Sequence, residues 1–209
     1  AESYAEAAQK NGVEIQMIDV LSVLNDGSLR ENPDSPLGEI AVKAMEKAFE
    51  AAVLMGVKNV FIPSVLSTRI QNRYHLENTA ENLRRGKKIA DDMGITLLYE
   101  SFSGVRDTKE IYEKSGGVRL VYDTLNPLKY GFADSACEEI AAYGTEMIHT
   151  IHFKDINSSF SSDVPFTTGV GKVEECVQAI KEIGYEGWIV NENTYFKTDM
   201  AKAGADPWE

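Results

Sequence analysis

One phrase recurs along the chain and constrains the fold more than any other feature. A helix rich in Ala, Glu and Lys is followed by Gly and then by a short strand of β-branched and apolar residues. Gly after the last helical residue adopts the left-handed C-cap conformation at low cost. Apolar strands that alternate with helices predict a parallel sheet whose two faces are covered. The predicted helices span 2–10, 36–55, 79–93, 107–114, 133–143 and 172–183, and the predicted strands span 13–18, 57–63, 95–101, 118–124, 147–154 and 187–193.

The order of these elements indicates the fold class. No G-x-G-x-x-G phrase or P-loop follows any of the strands, which favours a barrel over a doubly wound sheet. We therefore predict an α/β fold, a (β/α)8 TIM barrel, as a single domain over 1–209. A complete barrel needs about 250 residues, so we expect this chain to be roughly two strands short. Within the pattern, Asn78 followed by Glu81 predicts a capping box at the start of the third helix.

Composition excludes several classes of function. The chain carries 21 Lys and Arg residues against 33 Asp and Glu, a formal charge of −12. Because binding to a phosphate backbone depends on cationic residues, we expect no nucleic-acid partner. No apolar run approaches the roughly 20 residues of a membrane span, so we expect no membrane partner. Two cysteines, Cys137 and Cys176, form no disulfide framework or metal knuckle in this pattern, and a reducing, cytoplasmic location is predicted.

Four of the predicted strands end on a side chain that can bind a metal. These residues are Glu100, Asp123, His152 and Glu192. In a barrel the carboxyl ends of the strands meet at one face, where the chemistry of such folds collects. Side chains alternate along a strand, and all four residues have the parity that points them into the barrel mouth together. A single acidic residue after a strand is usually solvated or caps a helix, but four coincidences at the same end predict a shared site.

The chemistry of this set predicts the kind of cofactor. Three carboxylates and one imidazole make an oxygen-rich site suited to Mn²⁺, Mg²⁺ or Co²⁺, and Zn²⁺ also fits. Without a cation, three gathered carboxylates would repel one another and raise each other's pKa.

The residues around these four positions form phrases that resemble a known family. The phrases are Leu98-Tyr99-Glu100, Tyr122-Asp123-Thr124-Leu125-Asn126, Ile151-His152-Phe153-Lys154-Asp155, Gly169-Val170-Gly171, and 184–192, which reads Gly-Tyr-Glu-Gly-Trp-Ile-Val-Asn-Glu. They resemble the sugar phosphate isomerase/epimerase superfamily with the xylose isomerase-like TIM barrel, over about residues 36–196. The order Glu, Asp, His, Glu carries the resemblance. The family has two more strands before Gly12 and usually a closing helix after Glu192, so the resemblance implies that this chain lacks the first two strands and the final helix.

The resemblance implies a reaction and roles for the four residues. It implies a divalent metal held by Glu100, Asp123, His152 and Glu192. The expected enzyme is an isomerase or epimerase that acts on a sugar or sugar phosphate through an enediolate, with Glu100 and Glu192 as acid and base. Many epimerases of the family have His three residues after the Asp ligand, where this chain has Asn126. Asn126 can hydrogen-bond a sugar hydroxyl.

Other residues near the strand ends are candidates for substrate binding. Lys154 shares a face with His152 and can contact a hydroxyl, carboxylate or phosphate, although a solvated lysine at the rim is as common. Ser64 and Arg69 follow the second strand and are expected at the same rim, and Arg69 suits an anionic substrate. Asp155 is expected to support the loop rather than the reaction. The expected partner is a small-molecule sugar, and the sequence is also compatible with a homo-oligomer.

Three alternatives stay open from the sequence. An inosose-type dehydratase would begin with the same proton abstraction and then expel a hydroxyl. The apurinic endonuclease branch of the superfamily uses a trinuclear zinc site, and the acidic composition and three histidines argue against it. A non-catalytic relative would only bind a ligand or a partner.

Overall fold

The computed structural model describes residues 1–24, 26–131, 135–159 and 164–193, and the chain divides into two compact units, Ala1–Leu120 and Val121–Glu209. In both units helices alternate with parallel strands, which confirms the predicted α/β class. Among the described residues, no helix has the length and apolar character needed to cross a membrane.

The first unit contains three complete strands and the start of a fourth. Its strands are β1 Met17–Asp19, β2 Asn59–Pro63, β3 Thr96–Glu100 and the first residues of β4 Arg119–Asp123. Its helices are α1 Glu2–Asn11, α2 Leu21–Leu24, α3 Gly38–Met55, α4 Arg73–Asp92 and α5 Val105–Lys114, with 3-10 helices at Ser28–Arg30 and Leu66–Thr68.

Neighbouring strands of the first unit pair in chain order. Met17 pairs with Asn59, Asn59 pairs with Thr96, and Leu98 pairs with Arg119, all in parallel. The strand interiors are apolar because α3 and α4 pack on the sheet and remove those side chains from water. Met45 and Leu83 are fully buried on these helices, and each such burial contributes about 1.5–3 kcal/mol.

The predicted start of α4 is wrong. The helix begins at Arg73, six residues before the predicted position, and its cap is Asn72, whose side chain accepts a hydrogen bond from the His75 backbone N–H at 2.9 Å. Asn78 lies inside the helix and donates to the Tyr74 carbonyl. Asn72 and Asn78 are both suitable cap residues, and the earlier cap is used because it places Leu76, which is 3% exposed, on the buried face.

The second unit contains the end of β4 and two further strands. These are β5 Ile148–Phe153 and β6 Trp188–Asn191, and the helices are α6 Asn126–Lys129, α7 Ala136–Met147 and α8 Val173–Glu182. The strand order is β4-β5-β6. Thr150 pairs with Trp188 and Phe153 with Asn191, in parallel. The strands of this unit therefore end at one common edge, which carries the candidate site.

Candidate metal centre

Asp123 is the last residue of β4 and is fixed by the turn that follows it. Its Oδ1 atom accepts hydrogen bonds from the backbone N–H groups of Leu125, at 2.7 Å, and Asn126, at 3.0 Å. The residue is 3% exposed. Because Oδ1 is used by the turn into α6, only Oδ2 is directed toward other groups.

Lys154 lies just beyond β5 and joins two carboxylates. Its Nζ atom is 2.5 Å from Asp123 Oδ2 and 2.6 Å from Glu192 Oε2, and its side chain is 17% exposed. The ammonium of Lys154 is thus in direct ionic contact with both carboxylates. The predicted position of Lys154 at the strand ends is thus observed, but its ammonium is held between carboxylates.

His152 and Glu192 complete the group in this unit. His152 is 4% exposed in β5, and its Nδ1 atom lies 3.2 Å from Glu192 Oε1. The Glu192 backbone N–H donates to the Phe153 carbonyl at 3.0 Å, which fixes Glu192 just after β6. Asp123 and His152 offer ligand atoms within 4.8 Å of each other. Three of the four predicted ligands therefore meet within one unit.

The charges of this group depend on one another. Burial alone would lower the pKa of Lys154, because it disfavours the charged ammonium. The neighbouring Asp123 and Glu192 carboxylates have the larger effect and raise the pKa of Lys154 above its usual value. Burial also acts against the Glu192 carboxylate, yet His152 and Lys154 lower the pKa of Glu192 to about 2. Burial raises the pKa of Asp123, and Lys154 opposes that rise. At neutral pH the centre thus has a cation, Lys154, directly against the ionised Glu192.

Asp155 organises the loop after β5, as predicted. Its Oδ1 atom accepts from the N–H groups of Ile156 and Gly171, at 2.8 and 2.9 Å, and its Oδ2 atom accepts from the N–H of Gly169 at 2.9 Å. A Cβ at position 169 would overlap the carbonyl oxygen of Ile156, and one at position 171 would lie 2.7 Å from Asp155 Oδ1. The Gly-x-Gly phrase is therefore required by close approach of the backbone to this carboxylate.

The Gly-Tyr-x-Gly phrase before β6 also has a structural cause. The hydroxyl of Tyr185 lies 2.9 Å from the His149 carbonyl oxygen and 2.8 Å from that of Trp188, and it donates to one of them at a time. A Cβ at Gly187 would overlap the Tyr185 hydroxyl. The phrase thus fixes the start of β6 against β5, which sets the position of Glu192 at the other end of the strand.

Asn126 begins α6 in the second unit and is 6% exposed, and the other three predicted residues lie in the first unit. Glu100 is the last residue of β3, is 7% exposed, and its carbonyl accepts from the Ser64 N–H at 2.9 Å. Ser64 is fully buried, and its hydroxyl donates to the Thr68 carbonyl at 3.1 Å. Arg69 is half-buried after the 3-10 helix, and its carbonyl accepts from Arg30 Nη1 at 3.2 Å.

The sequence interpretation missed Glu139, a buried glutamate of α7. It is 2% exposed, and the Tyr122 hydroxyl donates to its Oε2 atom at 3.2 Å. Burial raises the pKa of Glu139 to about 7, against the hydrogen bond from Tyr122. Its spacing from the buried residues Ala136, Ile140 and Tyr143 places it on the apolar face of the helix, and that spacing is the signal that could have revealed it.

The chemistry of the donor set fits a divalent metal. Asp123 Oδ2 is a buried carboxylate oxygen that faces the Lys154 ammonium rather than the turn, and His152 supplies an imidazole beside it. Glu192 supplies a third, ionised ligand. Carboxylate oxygens with one imidazole nitrogen are ligands used by Mn²⁺, Co²⁺ and Zn²⁺ sites, and oxygen-rich sites also bind Mg²⁺.

Known proteins with similar sequences and structures include sugar epimerases. The chain is 25% identical over 131 residues to a 2-epi-5-epi-valiolone 7-phosphate 2-epimerase from an Actinoplanes species, a match that covers 61% of this chain and 47% of that enzyme. The structure of an L-ribulose 3-epimerase matches 90% of this chain and 65% of its own, with a TM-score of 0.73 and 17% identity. The chain therefore spans about half to two thirds of the length of these proteins.

A third comparison concerns a protein that holds a metal. The crystal structure of the IolI protein with a bound zinc atom matches 93% of this chain and 74% of its own, with a TM-score of 0.72 and 18% identity. At these identities the structural matches show a shared fold. The family model described as "Xylose isomerase-like TIM barrel" matches residues 1–208. With helices that alternate with parallel strands in both units, and with a family-model match over nearly the whole chain, this protein belongs to the xylose isomerase-like TIM barrel family.

Proposed function

We propose that this protein is a divalent-metal-dependent isomerase or epimerase that acts on a sugar or a sugar phosphate. The observation that carries the proposal is the convergence of Asp123, His152 and Glu192 at the carboxyl ends of three successive strands. All three are positioned by backbone hydrogen bonds or strand pairing, so the group is preorganised. Preorganised charges of this kind are typical of catalytic sites.

Glu100 completes the proposed ligand set. It is the terminal residue of β3, as Asp123 is of β4, and β3 pairs in parallel with the first residues of β4. A bound Mn²⁺, Mg²⁺, Co²⁺ or Zn²⁺ ion would polarise the substrate carbonyl and stabilise the negative charge of the enediolate.

Glu100 and Glu192 are the proposed acid and base. Glu192 is fixed just after β6 by the bond from its backbone N–H to the Phe153 carbonyl, and we assign to it the removal of the proton from the substrate carbon. Glu100 is buried at the end of its own strand, and we assign to it the return of the proton. Two carboxylates from different strands allow removal and return on opposite faces of the carbon, which an epimerase needs.

Four further residues are proposed to orient the substrate. Asn126 begins α6 next to Asp123 and suits a sugar hydroxyl. Lys154 and Arg69 suit an anionic group such as a phosphate, and Ser64 offers its hydroxyl oxygen as an acceptor. The valiolone-phosphate epimerase named above makes a phosphorylated substrate a reasonable class to test, and L-ribulose represents the unphosphorylated ketoses.

The test is proton exchange at the carbon next to the ketone. We expect the Mn²⁺-loaded protein in D₂O to introduce deuterium into at least one member of a panel of ketoses and ketose phosphates, seen by NMR as an isomeric sugar without loss of water. Glu192→Gln should abolish exchange, and Glu100→Gln should abolish formation of the isomeric sugar. The matched control is Glu186→Gln, an exposed carboxylate before β6, which should exchange at the wild-type rate.

The same experiment separates the competing functions. A dehydrated product would favour the inosose-type lyase. Exchange that persists after removal of divalent metal would contradict the proposed mechanism. Absence of exchange together with absence of metal binding would favour a non-catalytic relative.

A further inference from the structure

The carboxylates of the metal centre divide their oxygens between two kinds of partner. Asp123 Oδ1 accepts from two backbone N–H groups, and Glu192 Oε1 faces His152 Nδ1 at 3.2 Å. The other two oxygens, Asp123 Oδ2 and Glu192 Oε2, both face Lys154 Nζ, at 2.5 and 2.6 Å. The oxygens that remain for a cation are thus the ones that the ammonium contacts.

Lys154 is placed to neutralise these two carboxylates. The Asp123 side chain is 1% exposed and that of Lys154 is 17% exposed, so solvent screens this pair weakly. A buried carboxylate without a counter-ion is strongly unfavourable. The ammonium therefore stabilises the two ionised carboxylates in the metal-free protein.

We propose that the Lys154 ammonium competes with a divalent cation for Asp123 Oδ2 and Glu192 Oε2, so that Lys154 sets the cation affinity of the centre. The inference rests on the proposed metal-dependent function. A lysine ammonium is a point charge on a flexible four-carbon stem, and it can withdraw from the carboxylates when a doubly charged ion arrives. The released ammonium would then be free to contact an anionic or hydroxyl group of a substrate.

A supporting role for Lys154 would have the opposite consequence. If the ammonium only holds the ligands in place for the metal, its removal should weaken cation binding. If it competes with the metal, its removal should strengthen binding while it destabilises the metal-free protein. The direction of the change in affinity therefore separates the two roles.

The test is Mn²⁺ binding by isothermal titration calorimetry, with thermal unfolding in EDTA as a second measurement. For Lys154→Met we expect Mn²⁺ to bind at least about tenfold more tightly and the metal-free Tm to fall by about 5 °C or more. For Lys154→Arg we expect weaker binding than wild type, because a planar guanidinium holds two carboxylates more firmly than an ammonium does.

Controls keep this inference separate from the proposed function. Lys181→Met removes an exposed lysine of α8 and should change neither the affinity nor the Tm. Wild-type protein that binds no Mn²⁺ would contradict the proposed metal-dependent function. Wild-type binding together with equal or weaker binding by Lys154→Met would overturn the competition. If Lys154→Met does not fold without metal, equal or tighter binding by Lys154→Arg would overturn it instead.

Discussion

Asp123 and Asp155 are two buried aspartates that follow neighbouring strands and use their carboxylates differently. Asp123 is 3% exposed after β4 and gives only Oδ1 to backbone N–H groups. Asp155 is 1% exposed after β5 and gives both oxygens to backbone N–H groups. Residue type, burial and position at a strand end do not distinguish them. What distinguishes the two residues is the number of carboxylate oxygens that accept backbone hydrogen bonds.

This difference separates a carboxylate that holds the fold from one that can take part in chemistry. A carboxylate whose oxygens all accept backbone hydrogen bonds contributes to stability and has little capacity for a metal. A carboxylate with one oxygen facing other side chains can bind a cation while its turn stays intact. We therefore expect substitutions at the two positions to affect different measurements.

The largest expected effect is on activity at Asp123. Asp123→Asn keeps an oxygen that can accept from Leu125 and Asn126 but loses the charge on the metal-facing side. We expect turnover of the substrate found in the exchange panel to fall about a thousandfold or more, and the metal-free Tm to fall as well, because the Lys154 ammonium loses the charge of Asp123. A variant that retains most of its activity would show that Asp123 is not a ligand.

The next effect is on stability at Asp155. Asp155→Ala leaves three backbone N–H groups without their acceptor, so we expect the free energy of unfolding to fall by about 3 kcal/mol or more. Urea denaturation measures this change. The folded variant should still bind Mn²⁺ with an affinity within about threefold of wild type. A selective loss of binding would show that Asp155 belongs to the metal centre.

The close approach of the backbone to Asp155 gives a smaller effect. Gly169→Ala places a methyl group against the Ile156 carbonyl oxygen and Asp155 Oδ1, and we expect a loss of about 2 kcal/mol. Gly104→Ala is the matched control, because a Cβ there meets nothing within 4 Å. Equal unfolding midpoints for the two variants in urea would contradict the packing of this loop around Asp155.

Much of this arrangement could be predicted from the sequence, and the rest depends on tertiary contacts. The strand pattern placed Asp123, His152 and Glu192 at one edge because parallel strands share their direction. The pairing of Lys154 with two carboxylates could not be predicted, because it joins residues 31 and 38 positions apart. The predicted start of α4 was wrong because Asn72 and Asn78 are equally good caps, and only the packing of the preceding turn selects Asn72.

The last prediction concerns Glu139, a buried carboxyl group that faces the side chain of Tyr122 rather than backbone donors. Its folded pKa of about 7 lies above the ordinary value of about 4.5. The unfolded chain therefore ionises first as the pH rises, and stability should fall between about pH 4.5 and 7 and stay lower above pH 7. Glu139→Gln should flatten this dependence and raise stability at pH 8 by about 1–3 kcal/mol.

Urea denaturation at pH 5 and pH 8 checks this expectation. The wild-type protein and Glu139→Gln should differ at pH 8 and converge toward pH 5. A variant that loses stability at pH 8 would show that the Glu139 carboxylate is ionised and satisfied in the folded protein.

The central claim is that Asp123, whose Oδ2 atom is not used by the turn, binds a divalent metal. Its most direct test is Mn²⁺ titration, followed by electron paramagnetic resonance, of the wild-type protein, Asp123→Asn and the exposed control Glu186→Gln. The account predicts one tightly bound Mn²⁺ per chain in the wild type and the control, and its loss in Asp123→Asn. Tight binding that is unchanged in Asp123→Asn, or no binding by the wild type, would contradict it.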